Sequence, residues 1–195
     1  LAEECKPGDM VVPNQYFDRT KSIREHTFCG DGVVGHMSLA HPVCSYWTEA
    51  LVEMASSLDF DIHFGGTYVC IEGPNFSTLA ESEHYRSLGA RTIGMTNYPE
   101  FALAREAGLG YVPCNFVTDY DCWKTDVEHV TLEQVLDVMR KNNAKAFSVI
   151  QKLLAKEEPA PEKLGYPQQG LKTGLMTPWE GIPKDKQEWL EVLRG

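Results

Sequence analysis

A single α/β domain over residues 1–195 is the fold that the sequence predicts, and three observations point to it. Apolar, β-branched runs alternate with stretches of helical periodicity, the order of α/β proteins. At 195 residues the chain suffices for one full core and falls short of what two usually need. A composition of 43% hydrophobic and 24% charged residues is globular and excludes disordered, collagen-like and coiled-coil chains.

Lys6-Pro7-Gly8-Asp9 reads as a turn, and Met10-Val11-Val12 opens a strand expected to run over 10–17. Residues 19–43 are polar, rich in Gly and His and poorly periodic, which predicts a long irregular excursion. An amphipathic helix over 45–59 follows, with Trp47, Leu51, Met54 and Leu58 on one stripe. Residues 67–71 form a short apolar strand that Gly73-Pro74 breaks. Helix 77–88 starts beside Asn75-Phe76, with Ser77 or Thr78 placed to cap it.

Strand 91–96 ends at Asn97-Tyr98-Pro99, and Pro99 suits the first turn of helix 100–107, which stops at Gly108. A further strand over 111–118 delivers Asp119-Tyr120-Asp121 at its carboxyl end, where open α/β sheets place ligands. The longest helix starts at Thr131, whose pairing with Gln134 fits a capping box, and ends before Glu157. Residues 156–195 form a tail: a Pro-rich linker, a turn-rich stretch and a short terminal helix over 184–193.

The net charge of −10 argues against nucleic acid or an anionic membrane surface as a partner, since both require surplus cations. Residues 151–195 carry seven cations and seven anions, so the whole deficit lies in 1–150. Any anion bound there needs local donors. Six scattered cysteines, without a CxxC pair or zinc spacing, read as free thiols in a reducing cytoplasm, with no metal site. No apolar run reaches the length of a transmembrane helix, and the opening Leu1-Ala2-Glu3 suggests processing or a fragment.

Asp119 and Asp121 stand two residues apart, which in an extended segment puts both carboxylates on one side. Such a pair does not ionise freely, and one member is expected to hold a proton near neutrality. A solvated acidic loop, a capping pair or a metal-chelating pair are the alternatives. Phe76 and Ser77 follow the Gly-Pro turn and either stack and hydrogen-bond a flat ligand or belong to a plain strand-to-helix connection with Phe76 in the core. Thr96, after Met95, either touches phosphate or caps the next helix, while His26, His36 and His41 have no nucleophile near them in sequence.

Taken together, Lys6-Pro7-Gly8-Asp9 through Asp18-Arg19-Thr20, Ile71-Glu72-Gly73-Pro74-x-Phe76-Ser77, Gly94-Met95-Thr96-x-x-Pro99-Glu100 and Val117-Thr118-Asp119-Tyr120-Asp121-Cys122-Trp123 resemble the trimeric purine nucleoside phosphorylases. The likeness runs in unbroken order from residue 1 to about 155, and within the family it is to members acting on 5′-methylthioadenosine. It implies a three-layer αβα fold with a mixed sheet flanked by helices, of which this chain resembles the C-terminal two thirds. It also implies phosphorolysis to adenine and 5-methylthioribose 1-phosphate, with inorganic phosphate as co-substrate and no cofactor. A 6-oxopurine or adenosine-type enzyme, or a non-catalytic binding fragment, is the alternative.

Carried over residue by residue, the resemblance gives Asp119 the proton for purine N7 and Asp121 the exocyclic amine. Phe76 and Ser77 become the base wall, Met95 the residue under the ribose and Thr96 a phosphate contact. His36, Leu132 and Val135 surround the 5′ substituent, with the His lent by a neighbouring subunit of a homotrimer. Asn75 stands where the family usually has Arg, and the family's glycine-rich phosphate turn, Arg-His pair and Thr-rich strand have no counterpart in residues 1–195. Little phosphorolysis is therefore expected of residues 1–195 by themselves; either a separate N-terminal fragment supplies these parts or the true protein is longer.

Overall fold

The computed structural model describes residues 1–124, 132–157, 159–164 and 169–194. Met10–Val12 (β1) is completely buried and pairs in parallel with Ile62–Phe64 (β3) and antiparallel with Asn115–Phe116 (β6). A second three-stranded sheet is parallel, ordered Gln15–Arg19 (β2), Thr67–Ile71 (β4) and Ala90–Gly94 (β5). The strand expected over 10–17 is thus two strands in two sheets. Pro13 has no N–H to donate to a ladder, and Asn14 turns its own N–H to the Gly66 carbonyl, so the chain changes sheets there.

Leu51 and Met54 of the helix Ser45–Ala55 (α1) pack with Met10, Val12 and Val149 into one core, where Leu58 joins them from beyond the helix end. A second cluster joins Val69, Tyr85 and Ala90, with Trp123 packed against it. Thr78 caps the helix Leu79–Ser87 (α2) in a full capping box with Glu81. The helix Glu100–Glu106 (α3) ends before Gly108, whose φ of +70° is the left-handed conformation glycine tolerates. Strand β3 was not expected: three residues with His63 at their centre give no apolar run, and His63 faces Asp9 at 2.8 Å.

The strand expected over 111–118 is reduced to β6. Its direction continues further without regular pairing, through Val117 N–H to Asp9 C=O and Gly8 N–H to Val117 C=O. The long helix Leu132–Leu154 (α4) supports this segment, because buried Asn142 donates to the Val117 carbonyl at 3.1 Å. Thr131 of the expected capping box lies outside the described residues. Past Arg19, which ends β2, the 19–43 excursion has no regular element, yet it is anchored by buried Glu106, which accepts from the Thr27 hydroxyl and the Phe28 N–H at 2.6 Å each. Tail helices Gly170–Gly174 (α5) and Lys184–Arg194 (α6) pack Leu171 and Leu190 against Val33 of that excursion.

Candidate active site

A cavity of about 350 Å³ opens between the two sheets, within the range of small-molecule sites. Tyr68 and Ile93 line it from β4 and β5, Asn115 and Phe116 from β6, and Phe76, Thr96, Asp119 and Asp121 from the loops that follow strands. Four residues predicted from three separate stretches of sequence therefore meet in one place. Phe76 is 85% exposed, so it is not a core residue of a plain connection. An aromatic ring left that bare beside a cavity is available for stacking.

The acidic pair is asymmetric. Asp119 accepts from the Thr118 hydroxyl at 2.8 Å. Asp121 Oδ2 is buried with no hydrogen-bond partner, a costly state for a carboxylate oxygen unless a bound donor completes it. Ser77 shares the other side of Phe76, in an adjoining hollow of about 230 Å³, and its hydroxyl is likewise buried and unpartnered. Cys122 Sγ reaches the Ser77 carbonyl at 3.6 Å and so ties the acidic segment to the aromatic turn.

Met95 lies against Gly73, where an added Cβ would stand 2.6 Å from its sulfur, so the residue before Thr96 is fitted to the turn that carries Phe76. Arg24 holds that turn and the next together: its guanidinium donates to Glu72 at 2.7 Å and to the Tyr98 carbonyl. The Lys21 N–H and Arg24 hold the Glu72 carboxyl below its ordinary pKa. His36 does not join the cavity; its side chain is exposed and its N–H is bonded to the Gly174 carbonyl. Leu132 and Val135 are positions of α4 whose side chains lie outside the described residues.

Sequence reasoning missed Tyr68, Cys70 and Asn115. The signal available was alternation in β4, which places Tyr68 and Cys70 on the same face of the strand that precedes Phe76. Burial pushes the Tyr68 phenol up, as it does the Cys70 thiol, and carries the Cys114 thiol at the cavity wall to about 11. All three stay protonated near neutrality. Among the described residues no group of three or more His, Cys, Asp or Glu is placed to hold a metal ion, and no helix is long and apolar enough to cross a membrane.

An S-methyl-5′-thioadenosine phosphorylase of Thermosynechococcus vestitus is 42% identical over 99% of this chain and 67% of its own length, and that of Synechocystis is 42% identical over the whole chain and 60% of its own. The chain thus spans about two thirds or less of these relatives. In solved structures, a methylthioadenosine phosphorylase from an antarctic soil metagenomic library superposes with a TM-score of 0.88 at 40% identity, covering 98% of this chain and 67% of that one. The Schistosoma mansoni methylthioadenosine phosphorylase in complex with adenine gives 0.80 at 32% identity, covering 90% and 68%. The sequence profile of the Phosphorylase superfamily matches residues 1–155, and the chain belongs to that superfamily.

Proposed function

We propose that the protein carries out, or forms the base-binding part of an enzyme that carries out, phosphorolysis of 5′-methylthioadenosine to adenine and 5-methylthioribose 1-phosphate. The observation that carries this reading is the unpartnered, buried Asp121 Oδ2 in a cavity that also holds Asp119 and the exposed ring of Phe76. A carboxylate accepts from the 6-amino group of adenine but has nothing to offer a 6-oxo oxygen. The relatives' names supply the 5′-methylthio group.

In the reaction, the bond from the anomeric carbon to purine N9 breaks with its electrons leaving on the base, and a phosphate oxygen bonds the same carbon. Asp119 stabilises the departing base by giving a proton, or a strong hydrogen bond, to N7. Phe76 stacks the purine, Ser77 hydrogen-bonds it, Met95 lies under the ribose and Thr96 contacts phosphate. With its net negative charge, the chain does not retain phosphate through Thr96 alone. Further donors from another segment or chain complete that end of the site.

The assembly read from the resemblance is a homotrimer, with His36 of each copy serving a neighbouring copy's site beside Leu132 and Val135. The exposed position of His36, away from its own cavity, supports this. The six free thiols suit a reducing cytoplasm.

Incubation with methylthioadenosine tests the reaction. Adenine is expected to appear only when phosphate is present, in step with the sugar phosphate. Release without phosphate, or no binding of the nucleoside at all, contradicts it, whereas binding without release marks the chain as the base-binding part alone.

A further inference from the structure

Strand β4 sends Tyr68 and Cys70 to one side, two residues apart, and both end on Thr96. The Tyr68 phenol oxygen accepts the Thr96 N–H at 3.3 Å and lies 3.3 Å from Thr96 Oγ1. The Cys70 thiol donates to the Thr96 carbonyl at 3.0 Å. Every polar group of this threonine's main chain is therefore engaged from beneath. Its side chain is at the surface, on the cavity.

The direction of the hydroxyl bond follows from burial. Tyr68 is 3% exposed, and a buried phenol proton needs an acceptor. The phenol oxygen already accepts from Thr96 N–H, so it has its own proton to place, and Thr96 Oγ1 is the acceptor at hand. Having accepted from inside, Thr96 Oγ1 turns its proton outward. The distances are long for such bonds, as is common before a ligand tightens them.

Neighbouring residues keep this arrangement in place. At Gly94 an added Cβ would stand 2.2 Å from the Tyr68 oxygen, so the absence of a side chain there gives the phenol its position. The residue after Thr96 is fixed as well. Asn97, with φ +71°, donates to Asn115 Oδ1 at 3.0 Å and accepts from the Tyr111 hydroxyl at 3.3 Å. Burial keeps the Tyr68 phenol protonated and so a donor across the neutral range.

We propose that Tyr68 is a positioning residue for phosphate: it donates to Thr96 Oγ1, accepts from Thr96 N–H, and thereby directs the Thr96 hydroxyl proton at a phosphate oxygen in the cavity. This rests on the reading of Thr96 as a phosphate contact. A neutral donor aimed in advance matters more here than on a cationic surface, because the net charge of −10 repels the anion.

Tyr68→Phe removes the hydroxyl and keeps the ring. The KM for phosphate, or its Kd from titration of inorganic phosphate, is expected to rise about tenfold, the effect of one hydrogen bond. The KM for methylthioadenosine is expected to stay within about twofold, since the base-binding residues are untouched. Gly94→Ala, which displaces the phenol without altering residue 68, gives the same selective loss. Thr96→Ala weakens phosphate as much or more, and adding Tyr68→Phe to it causes no further loss.

If Thr96→Ala weakens phosphate and Tyr68→Phe does not, the role given to Tyr68 is overturned while Thr96 keeps its own. If Thr96→Ala leaves phosphate binding unchanged, the reading beneath the proposal is what fails. An equal rise in KM for both substrates in Tyr68→Phe marks a general structural role and also overturns the proposal.

Discussion

Asp119→Asn lowers turnover by about two orders of magnitude, the usual loss on removing a general acid, while the nucleoside binds nearly as before. The amide is close in size and still accepts the Thr118 hydroxyl that Asp119 accepts at 2.8 Å, so the cavity keeps its shape. What it lacks is an acidic proton for N7 when charge builds on the departing purine. That need arises only in the transition state, and the loss therefore falls on kcat more than on KM. Steady-state kinetics on methylthioadenosine checks this. A variant with undiminished kcat and a raised KM would assign Asp119 to ground-state binding and remove it from the chemistry.

The second large effect is on base selectivity. Asp121→Asn converts a group that only accepts into one that also donates, and a 6-oxo oxygen then finds a partner that the carboxylate denies it. The ratio of kcat/KM for 6-amino over 6-oxo substrates is expected to fall by about a hundredfold, because the wild-type site leaves both facing oxygens unpaired with the 6-oxo base. Oδ2 of Asp121 is buried without a partner, so the change acts on the atom best placed to read the base. Competition between methylthioadenosine and its inosine counterpart measures the ratio directly. An unchanged ratio would separate Asp121 from base recognition.

Much of this site was legible in the residues, for reasons that differ by element. Helices α1 and α4 were readable because their apolar stripes recur at helical spacing, and α2 because Ser77-Thr78 offers an ordinary start signal, completed by Glu81. Asp119 and Asp121 stood out as a local pair, and Phe76 as an aromatic after a Gly-Pro turn. The strand over 10–17 was misread because the apolar character runs on through the point where Pro13 and Asn14 move the chain to another sheet.

Tyr68 escaped because its meaning depends on Thr96, 28 residues later, and on Gly94 leaving room for it. In sequence it is one more residue of an apolar strand. Strand β6 was overextended for a related reason: 111–118 has the apolar content of a strand, yet only Asn115–Phe116 finds a regular partner in β1. Pairing between distant segments is what local patterns do not carry.

A crystal of the protein with methylthioadenosine or adenine tests the central claim most directly. The account predicts the purine between the sheets with its face on Phe76, the exocyclic amine within about 3.2 Å of Asp121 Oδ2 and N7 at the same reach of Asp119. A nucleobase bound elsewhere, or either carboxylate turned away into solvent with the base in place, would contradict it.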